Sequence, residues 1–155
     1  MNPRDSYTII EKIGKGAIGT IYKCARKSDG QLCALKHTGV SKAERQSVIN
    51  ECSLIKALSS EHIVTCGDVF DFDKKIWVFL ELMDGGDLSN VVLKSANVYS
   101  EAFCKYTLYM VAMGLRTMHV NNVLHRDIKS ENILCKPNGD IKIADLGLSV
   151  FLNEQ

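Results

Sequence analysis

Residues 125–132 read His-Arg-Asp-Ile-Lys-Ser-Glu-Asn, and this stretch decides how the rest of the chain is interpreted. Thirteen residues beyond Asn132 stands Asp145, in the sequence Asp-Leu-Gly. Taken alone, Asp127 would be explained as a turn aspartate that caps local N–H groups. The whole set of charged and hydrogen-bonding residues at this spacing is not expected by chance, and it indicates a site that performs chemistry.

The composition is that of a soluble globular protein, with 155 residues of which 46% are apolar and 24% charged. This length suits one ordinary domain, and the composition excludes disorder and collagen. Because 19 basic and 18 acidic side chains leave a net charge of +1, we expect no nucleic-acid partner. The longest apolar run, residues 108–113, is far shorter than the ~18 residues of a membrane span, and the chain begins without a hydrophobic signal region. We therefore predict a cytoplasmic protein without membrane contact.

The six cysteines show neither a Cys-x-x-Cys pair nor the close Cys/His grouping that binds zinc. They stand at positions 24, 33, 52, 66, 104 and 135. Several lie within apolar strand or helix patterns, as Cys33 does between Leu32 and Ala34. We therefore expect reduced thiols, mostly buried, and no metal bound through sulfur.

Apolar periodicity and turn residues predict a β-rich first part and a more helical second part. The predicted strands are 7–13, 20–25, 31–37, 65–72, 75–82, 133–135 and 141–144, and the predicted helices are 41–58, 87–94 and 100–119. Ser41-Lys42-Ala43-Glu44 has the pattern of a capping box, which satisfies free N–H groups where a helix begins. The glycine-containing segment 83–87 is the best boundary between the two parts.

Residues 14–19 read Gly-Lys-Gly-Ala-Ile-Gly, a pattern that lets backbone N–H groups approach phosphates. In a dinucleotide-dependent oxidoreductase, a loop with these glycines opens a helix. Here residues 20–24 continue as a strand pattern, which places the glycines at the tip of a β-hairpin. Without further motifs, a mobile hairpin turn would explain them equally well.

Lys36 and Glu51 are a predicted ion pair. Ala34 and Lys36 lie on the same face of a strand, where a methyl can contact a flat base and an ammonium can reach phosphates. Glu51 lies within a helical stripe formed by Val48, Ile55 and Leu58. A carboxylate there requires a cation, because breaking a buried pair costs about 3–5 kcal/mol. The alternative is a glutamate at the edge of the stripe whose carboxylate reaches water.

With these motifs in this order, the chain resembles the eukaryotic protein kinase family from Tyr7 to about Gln155. The resemblance implies an α+β fold with two lobes. Residues 1–83 would form a complete antiparallel β N-lobe with one helix. Residues 84–155 would form an incomplete helical C-lobe with the catalytic loop and the start of the activation segment.

The resemblance also implies the activity. Lys129, two places after Asp127, is typical of serine/threonine kinases, and residues 78–92 with 125–134 are most similar to Sterile-20-like kinases, with NIMA-related kinases second. Such an enzyme transfers the γ-phosphate of Mg·ATP to Ser or Thr hydroxyls of a protein substrate, and a regulatory protein would be a further partner. The alternative is a nucleotide-binding pseudokinase or truncated regulatory module that works without phosphotransfer.

The family's catalytic and metal-binding roles are carried over to four residues. Asp127 would orient the acceptor hydroxyl and accept its proton. Lys129 would balance charge on the transferred phosphate. Asn132 and Asp145 would ligate Mg²⁺ through oxygen, which is the ligand atom that this cation prefers.

The implied ATP site combines the glycine segment 14–19, the pair of Lys36 and Glu51, and segment 83–87, which is called the connector below. Lys36, held by Glu51, would grip the α and β phosphates, while backbone groups of Glu81 and Met83 would meet the adenine edge and Asp87 the ribose. The resemblance implies that the following residues contact ATP or position a residue that contacts it: Ile13, Gly14, Lys15, Gly16, Gly19, Ile21, Ala34, Lys36, Glu51, Leu80, Glu81, Met83, Asp87 and Leu134. Leu80 would be the gatekeeper residue, and the base would lie between Ile21, Ala34 and Leu134.

Three features depart from the family pattern. Ile18 stands where an aromatic loop tip is usual, and Leu146 replaces the usual Phe. The only prolines are Pro3 and Pro137, so the Ala-Pro-Glu end of the activation segment is absent from these residues. We therefore expect a fragment of the catalytic domain, in which the helix predicted at 100–119 leaves an apolar stripe uncovered. That stripe would contain Leu108, Val111, Leu115 and Met118.

Overall fold

The computed structural model describes residues 1–16, 19–39, 41–94 and 100–152. The chain divides into two compact units. The first consists of residues 1–56 and 65–82, and the second of residues 57–64 and 83–155. Segment 57–64 groups with the second unit because it pairs with a strand there, which the sequence pattern did not predict.

The elements of the first unit are mostly strands. They are α1 (Pro3–Ser6), β1 (Tyr7–Gly16), β2 (Gly19–Arg26), β3 (Leu32–Gly39), α2 (Lys42–Leu58), β4 (Cys66–Phe72) and β5 (Lys75–Glu81). The five strands form one antiparallel sheet in the order β1-β2-β3-β5-β4. The predicted antiparallel β-sheet with one long helix is therefore confirmed. The short helix α1 was not predicted.

Side-chain alternation divides this sheet into two apolar faces. One face carries a buried cluster made of Tyr7, Cys24, Leu35, Trp77 and Phe79. The other face carries Ile76 and Val78, which pack with Val48 and Cys52 of α2. The helix therefore lies against the second face, and its stripe of Val48, Ile55 and Leu58 is buried as predicted. The side chain of Glu44 lies outside the described residues, so the predicted capping box stays a prediction.

The second unit contains two helices and several short strands. They are β6 (Gly86–Asp87), α3 (Leu88–Lys94), α4 (Glu101–Val120), β7 (Val123–Leu124), a 3₁₀ turn (Ser130–Asn132), β8 (Ile133–Cys135), β9 (Ile141–Ile143) and β10 (Val150–Phe151). The strands pair as β6-β8-β9 and as β10-β7. The sequence predicted α3, α4, β8 and β9, but not the two-residue strands, which are too short for a periodic pattern.

The core of the second unit forms around strand β9. Ile133, Ile141 and Ile143 are buried, and α4 packs on them closely. A Cβ atom at Gly114 of α4 would lie 2.7 Å from Cδ1 of Ile143, so the helix approaches the strand at a residue without a side chain. On its other side Ile143 pairs with segment 57–64, since its N–H donates to the carbonyl of His62 at 2.9 Å.

The prediction that α4 leaves its apolar stripe uncovered is wrong for three of its four residues. Met118 is fully buried, and Val111 and Leu115 pack against the cluster around β9. Leu108 is 69% exposed. It is ten residues from Met118, which at ~100° per residue places it about 80° around the helix, at the edge of the buried face.

All six cysteines are free thiols, as expected. Cys24, Cys52 and Cys135 are buried and Cys104 is exposed. Within the described residues no three His, Cys, Asp or Glu side chains come together to hold a metal ion. No helix in this part of the chain has the length and apolar character of a membrane span.

Candidate active site

Asp127, Lys129 and Asn132 converge on one carboxylate in the second unit. The Lys129 ammonium donates to Oδ2 of Asp127 at 2.6 Å, and the Asn132 amide nitrogen donates to the same oxygen at 2.9 Å. That nitrogen also donates to the Asp127 backbone carbonyl at 2.9 Å. The three residues predicted from the motif therefore form one hydrogen-bonded cluster.

The cluster is held in place by Ala144, the residue that directly follows β9. Asn132 ends the 3₁₀ turn and is only 6% exposed, and its carbonyl accepts from the N–H of Ala144 at 2.9 Å. His125 is also buried. Its Nδ1 accepts from the N–H of Asp127 at 3.2 Å and its Nε2 lies 3.1 Å from the carbonyl of Ala144, which fits an imidazole with its hydrogen on Nε2.

Two residues of this region adopt the left-handed backbone conformation that non-glycine residues rarely use. They are Arg126, with φ 66°, and Asp145, with φ 61°. The Nε of Arg126 donates to the carbonyl of Leu148 at 2.6 Å, which ties the loop of residues 125–132 to the segment after Asp145. Such conformations cost about 1–3 kcal/mol each and persist where the surrounding structure holds them, typically at functional sites.

Charge interactions keep the cluster ionised. The hydrogen bond from Lys129 is the main reason why the pKa of Asp127 lies below its usual value, and Asn132 adds to the effect. The same bond raises the pKa of Lys129, to which the negative charge of the exposed Asp145 also contributes. At neutral pH, Asp127 is therefore a carboxylate that can accept a proton, and Asp145 lies near enough to interact with Lys129.

In the first unit, the predicted ion pair is present. The Lys36 Nζ lies 3.8 Å from Oε1 of Glu51, and the two side chains are only 19% and 12% exposed. Strand β3 carries the lysine and α2 carries the glutamate, so the pair links the helix to the sheet. This removes the alternative in which Glu51 lies at the edge of its stripe and faces water.

Strand register brings the predicted base-contacting and phosphate-contacting residues of the first unit to one sheet face. Ile21 pairs with Lys36, and Ala34 pairs with Leu80. Gly14 pairs with Ile21 across the β1–β2 hairpin. Directly paired residues of an antiparallel sheet point their side chains to the same side.

The glycine segment forms the end of the β1–β2 hairpin, where Gly16 pairs with Gly19. Ile13 and Lys15 lie on β1 near this end, and both are exposed. Because Gly19 begins a strand and not a helix, the structure excludes the oxidoreductase alternative. Ala17 and Ile18 lie outside the described residues.

The connector after β5 is anchored at both of its ends. Glu81 donates its N–H to the carbonyl of Thr65 at 2.9 Å, and its carboxylate lies 3.3 Å from the Thr65 hydroxyl. The carbonyl of Met83 accepts from Gly86, while Gly85 donates to the carbonyl of Cys135 at 3.0 Å. A Cβ at Gly85 would lie 2.7 Å from that carbonyl oxygen, so only glycine fits this close approach.

Asp87 caps the helix that follows the connector. Its carboxylate accepts from the backbone N–H of Asn90 at 2.9 Å and from the side chains of Ser89 and Asn90. Partial burial raises its pKa, but these hydrogen bonds outweigh the burial, and the net pKa is lowered. Asp87 also pairs with Leu134 across β6 and β8, which brings two predicted site residues together.

Comparison with known proteins identifies the family to which this site belongs. A family model described as "Protein kinase domain" matches residues 7–155. The chain belongs to the protein kinase family. The five-stranded antiparallel sheet with α2 is the kinase N-lobe.

Serine/threonine kinases are among the relatives of this kinase chain. MST20 of Pyricularia oryzae, a serine/threonine-protein kinase, is 35% identical over 99% of this chain, which covers 17% of that protein. The serine/threonine-protein kinase shk1/pak1 of Schizosaccharomyces pombe is 36% identical over 94% of this chain and 22% of its own length. Human Myosin-IIIa is 36% identical over 97% of this chain and 10% of its own length. The predicted resemblance to Sterile-20-like serine/threonine kinases is confirmed, and the chain spans less than a quarter of each of these relatives.

Sequence reasoning missed the backbone partners that hold the kinase loops together. The carbonyls of Thr65, Ala144 and Leu148 accept from Glu81, His125 and Arg126. Any residue supplies a carbonyl, so residue type carries no signal for such a contact. Only His125, as part of the motif at residues 125–132, could have indicated a positioning role.

Proposed function

We propose that the protein containing this chain transfers the γ-phosphate of Mg·ATP to serine or threonine hydroxyls of a protein substrate. The observation that carries the proposal is the convergence of Lys129 and Asn132 on the Asp127 carboxylate. An ionised carboxylate held this way is suited to orient an alcohol and accept its proton, and a nearby ammonium is suited to balance phosphate charge.

Asn132 and Asp145 are the residues that would hold Mg²⁺. Because the amide nitrogen of Asn132 is used by Asp127, its oxygen is the end suited to a cation. The exposed carboxylate of Asp145 supplies a second hard ligand, in agreement with the preference of Mg²⁺ for oxygen. When bound, the cation neutralises charge on the phosphates.

The first unit would hold the nucleotide. Lys36, fixed by Glu51, would bind the α and β phosphates, and the glycines of the hairpin would let backbone N–H groups approach them. Ile21, Ala34 and Leu80 are suited to contact the base because strand register turns them to one face. The remaining residues of this unit proposed to contact ATP are Ile13, Gly14, Lys15, Gly16, Gly19 and Glu81. Met83, Asp87 and Leu134, proposed for the same role, belong to the second unit.

We infer a cytoplasmic protein whose partners are its protein substrate and a regulatory protein, without nucleic-acid or membrane binding. The near balance of charge, with 19 basic and 18 acidic residues, supports only the absence of nucleic-acid and acidic-membrane binding.

The proposal is tested with Asp127→Asn in the full-length protein. The amide keeps the shape of the carboxylate but cannot accept the proton, so transfer of radiolabelled phosphate to a protein substrate should fall by about 10²–10⁴-fold. Calorimetric titration should show that Mg·ATP still binds with nearly unchanged affinity. The matched control is Glu131→Gln, which neutralises an exposed acid four residues away and should retain activity.

Two outcomes would contradict the proposal. Near-normal phosphotransfer by Asp127→Asn would remove Asp127 from the chemistry. Binding of Mg·ATP by the unaltered full-length protein without any transfer would favour the nucleotide-binding regulatory alternative.

A further inference from the structure

An asparagine followed by a glycine lies at the tip of the hairpin that joins β8 to β9. Asn138 is the only asparagine of the chain whose next residue is a glycine, Gly139. Both residues are exposed, as is Pro137 before them. Asparagine is thermolabile, because the backbone nitrogen of the next residue can attack its side-chain amide. Glycine leaves that nitrogen accessible, since it has no Cβ. The phosphotransfer proposed above gives these three residues no role.

The backbone of this tip favours a glycine directly after Asn138. The N–H of Gly139 donates to the carbonyl of Lys136 at 3.0 Å, which closes a β-turn with Pro137 and Asn138 at its centre. Gly139 has φ 98°, a conformation that residues with a side chain disfavour. The N–H of Lys136 donates to the carbonyl of Asp140 at 2.9 Å and closes the hairpin. The fold therefore keeps the Asn-Gly pair together at an exposed position.

Asp140 contacts both polar atoms of the Asn138 amide. Its backbone N–H donates to Oδ1 of Asn138 at 3.1 Å, and its Oδ2 accepts from Nδ2 of Asn138 at 3.2 Å. A donor on the carbonyl oxygen stabilises the negative charge that develops there when a nucleophile adds to Cγ. The two contacts therefore polarise the amide whose C–N bond has to break.

We propose that Asn138 is a site of spontaneous deamidation, in which Gly139 supplies the nucleophile. The Gly139 nitrogen loses its proton to a solvent base and adds to Cγ of Asn138. The bond from Cγ to Nδ2 breaks, and ammonia leaves with a proton returned by the solvent, which gives a five-membered cyclic imide. Water then opens the imide at either carbonyl and leaves aspartate or isoaspartate. One amide and one water thus become one carboxylic acid and one ammonia.

The turn hydrogen bond determines when this reaction occurs. While Gly139 donates to Lys136, the proton that has to leave is engaged. Opening of the tip releases it, and exposed loop tips open at a small fraction of the free energy of global unfolding. Strands β8 and β9 stay in place during such an opening because Ile133, Ile141 and Ile143 anchor them in the core.

Deamidation would weaken the hairpin tip. The new carboxylate would lie where an amide now donates to Asp140, so repulsion between like charges would replace a hydrogen bond. The Lys136 ammonium, 3.8 Å from Oδ2 of Asp140, would offset part of this repulsion. Isoaspartate would also insert an additional carbon atom into the backbone of the turn. We expect the midpoint of thermal unfolding of Asn138→Asp to fall by about 2–4 °C.

The experiment incubates the unaltered 155-residue chain at mildly alkaline pH and maps its peptides by mass spectrometry at intervals. We expect Asn138 to gain the mass difference between an amide and an acid, with more isoaspartate than aspartate. Methylation by protein isoaspartate methyltransferase measures the isoaspartate, and peptides of Asn138→Asp provide the aspartate standard. Asn138→Gln should keep its amide, because its longer side chain requires a larger ring.

Asn122 is the internal control. It is exposed in the turn after α4, as Asn138 is in its own turn, but the next residue is Val123. Val123 is fully buried and β-branched, so its nitrogen is shielded from the Asn122 side chain. Asn122 should therefore keep its amide over the time in which most of Asn138 is converted.

The decisive result comes from the unaltered chain, so no variant has to fold for the inference to be tested. An Asn138 amide that survives the incubation, or conversion of Asn122 at an equal rate, would overturn the inference. Aspartate formed without isoaspartate would exclude the cyclic imide and the role of Gly139. An unfolding midpoint of Asn138→Asp equal to that of the unaltered chain would contradict the weakening of the tip. None of these measurements uses a nucleotide, so their outcome is separate from that of the proposed kinase activity.

Discussion

At the scale of single residues, the Asp127 carboxylate holds the loop of residues 125–132 together. Asp127 receives hydrogen bonds from residues two and five positions later, which meet because the chain turns through a short 3₁₀ segment between them. Its lowered pKa means that it contributes to stability above the ordinary pKa of an aspartate, near 4, and that this contribution is lost as the pH falls through the lowered value. The site therefore keeps its charge throughout the neutral range.

Lys36 provides a prediction at this scale. We expect Lys36→Ala to reduce phosphotransfer by the full-length protein by about 10²-fold or more, because the phosphates lose their positioning cation and Glu51 loses its partner. Affinity for Mg·ATP should fall as well, which a calorimetric titration measures. The matched control is Lys23→Ala, on the neighbouring strand, whose ion pair with Glu11 is longer and more exposed. Equal losses in both variants would show that Lys36 has no special role.

At the scale of elements, the contacts between short segments set the geometry of the site. The connector after β5 approaches β8 so closely that a Cβ at Gly85 would overlap the backbone carbonyl of Cys135. Backbone atoms cannot move aside as the end of a flexible side chain can. Strand β6 and the start of α3, with its capping residue Asp87, depend on this approach.

We expect Gly85→Ala to destabilise the chain by about 1–3 kcal/mol, because relieving the overlap requires a backbone shift. The loss should exceed the gain of roughly 0.4–1 kcal/mol that a Gly→Ala change brings by restricting the unfolded chain. Urea denaturation measures the difference. Gly67→Ala is the matched control, since its Cβ would meet only the carbonyl of Phe79 at 3.4 Å. A Gly85→Ala variant as stable as the control would mean that the connector can relax freely.

At the scale of the whole molecule, α4 exposes several large apolar side chains. Leu108, Tyr109 and Val120 are 69%, 59% and 71% exposed on this one helix. Apolar groups grouped on one face promote association between molecules. The polar residues of the same face, which include Lys105 and Arg116, only partly offset this tendency.

We therefore expect the 155-residue chain to self-associate with increasing concentration, and Leu108→Glu combined with Tyr109→Glu to reduce that association without lowering the unfolding midpoint. Sedimentation velocity over a tenfold concentration range measures the effect. Leu93→Glu is the control, because Leu93 is 81% exposed but lies on α3. A monomeric unaltered chain, or an equal effect of the control, would contradict this prediction.

Much of the fold followed from local patterns. The five strands, α2, α3 and α4 were predicted within a few residues because period-two and helical spacing reflect which side of each element is buried. The cluster of Asp127, Lys129 and Asn132 could also be predicted, since the proposed chemistry requires particular side chains close together in the chain. The pairing of Lys36 with Glu51 could be predicted because a carboxylate in an apolar stripe needs a cation.

Tertiary structure alone decided the contacts that depend on distance and backbone geometry. The grouping of segment 57–64 with β9, the left-handed conformations of Arg126 and Asp145, and the burial of Met118 could not be inferred from residue type. A local motif can be recognised from the order of its residues in the chain, whereas contacts between distant residues depend on which elements pack together.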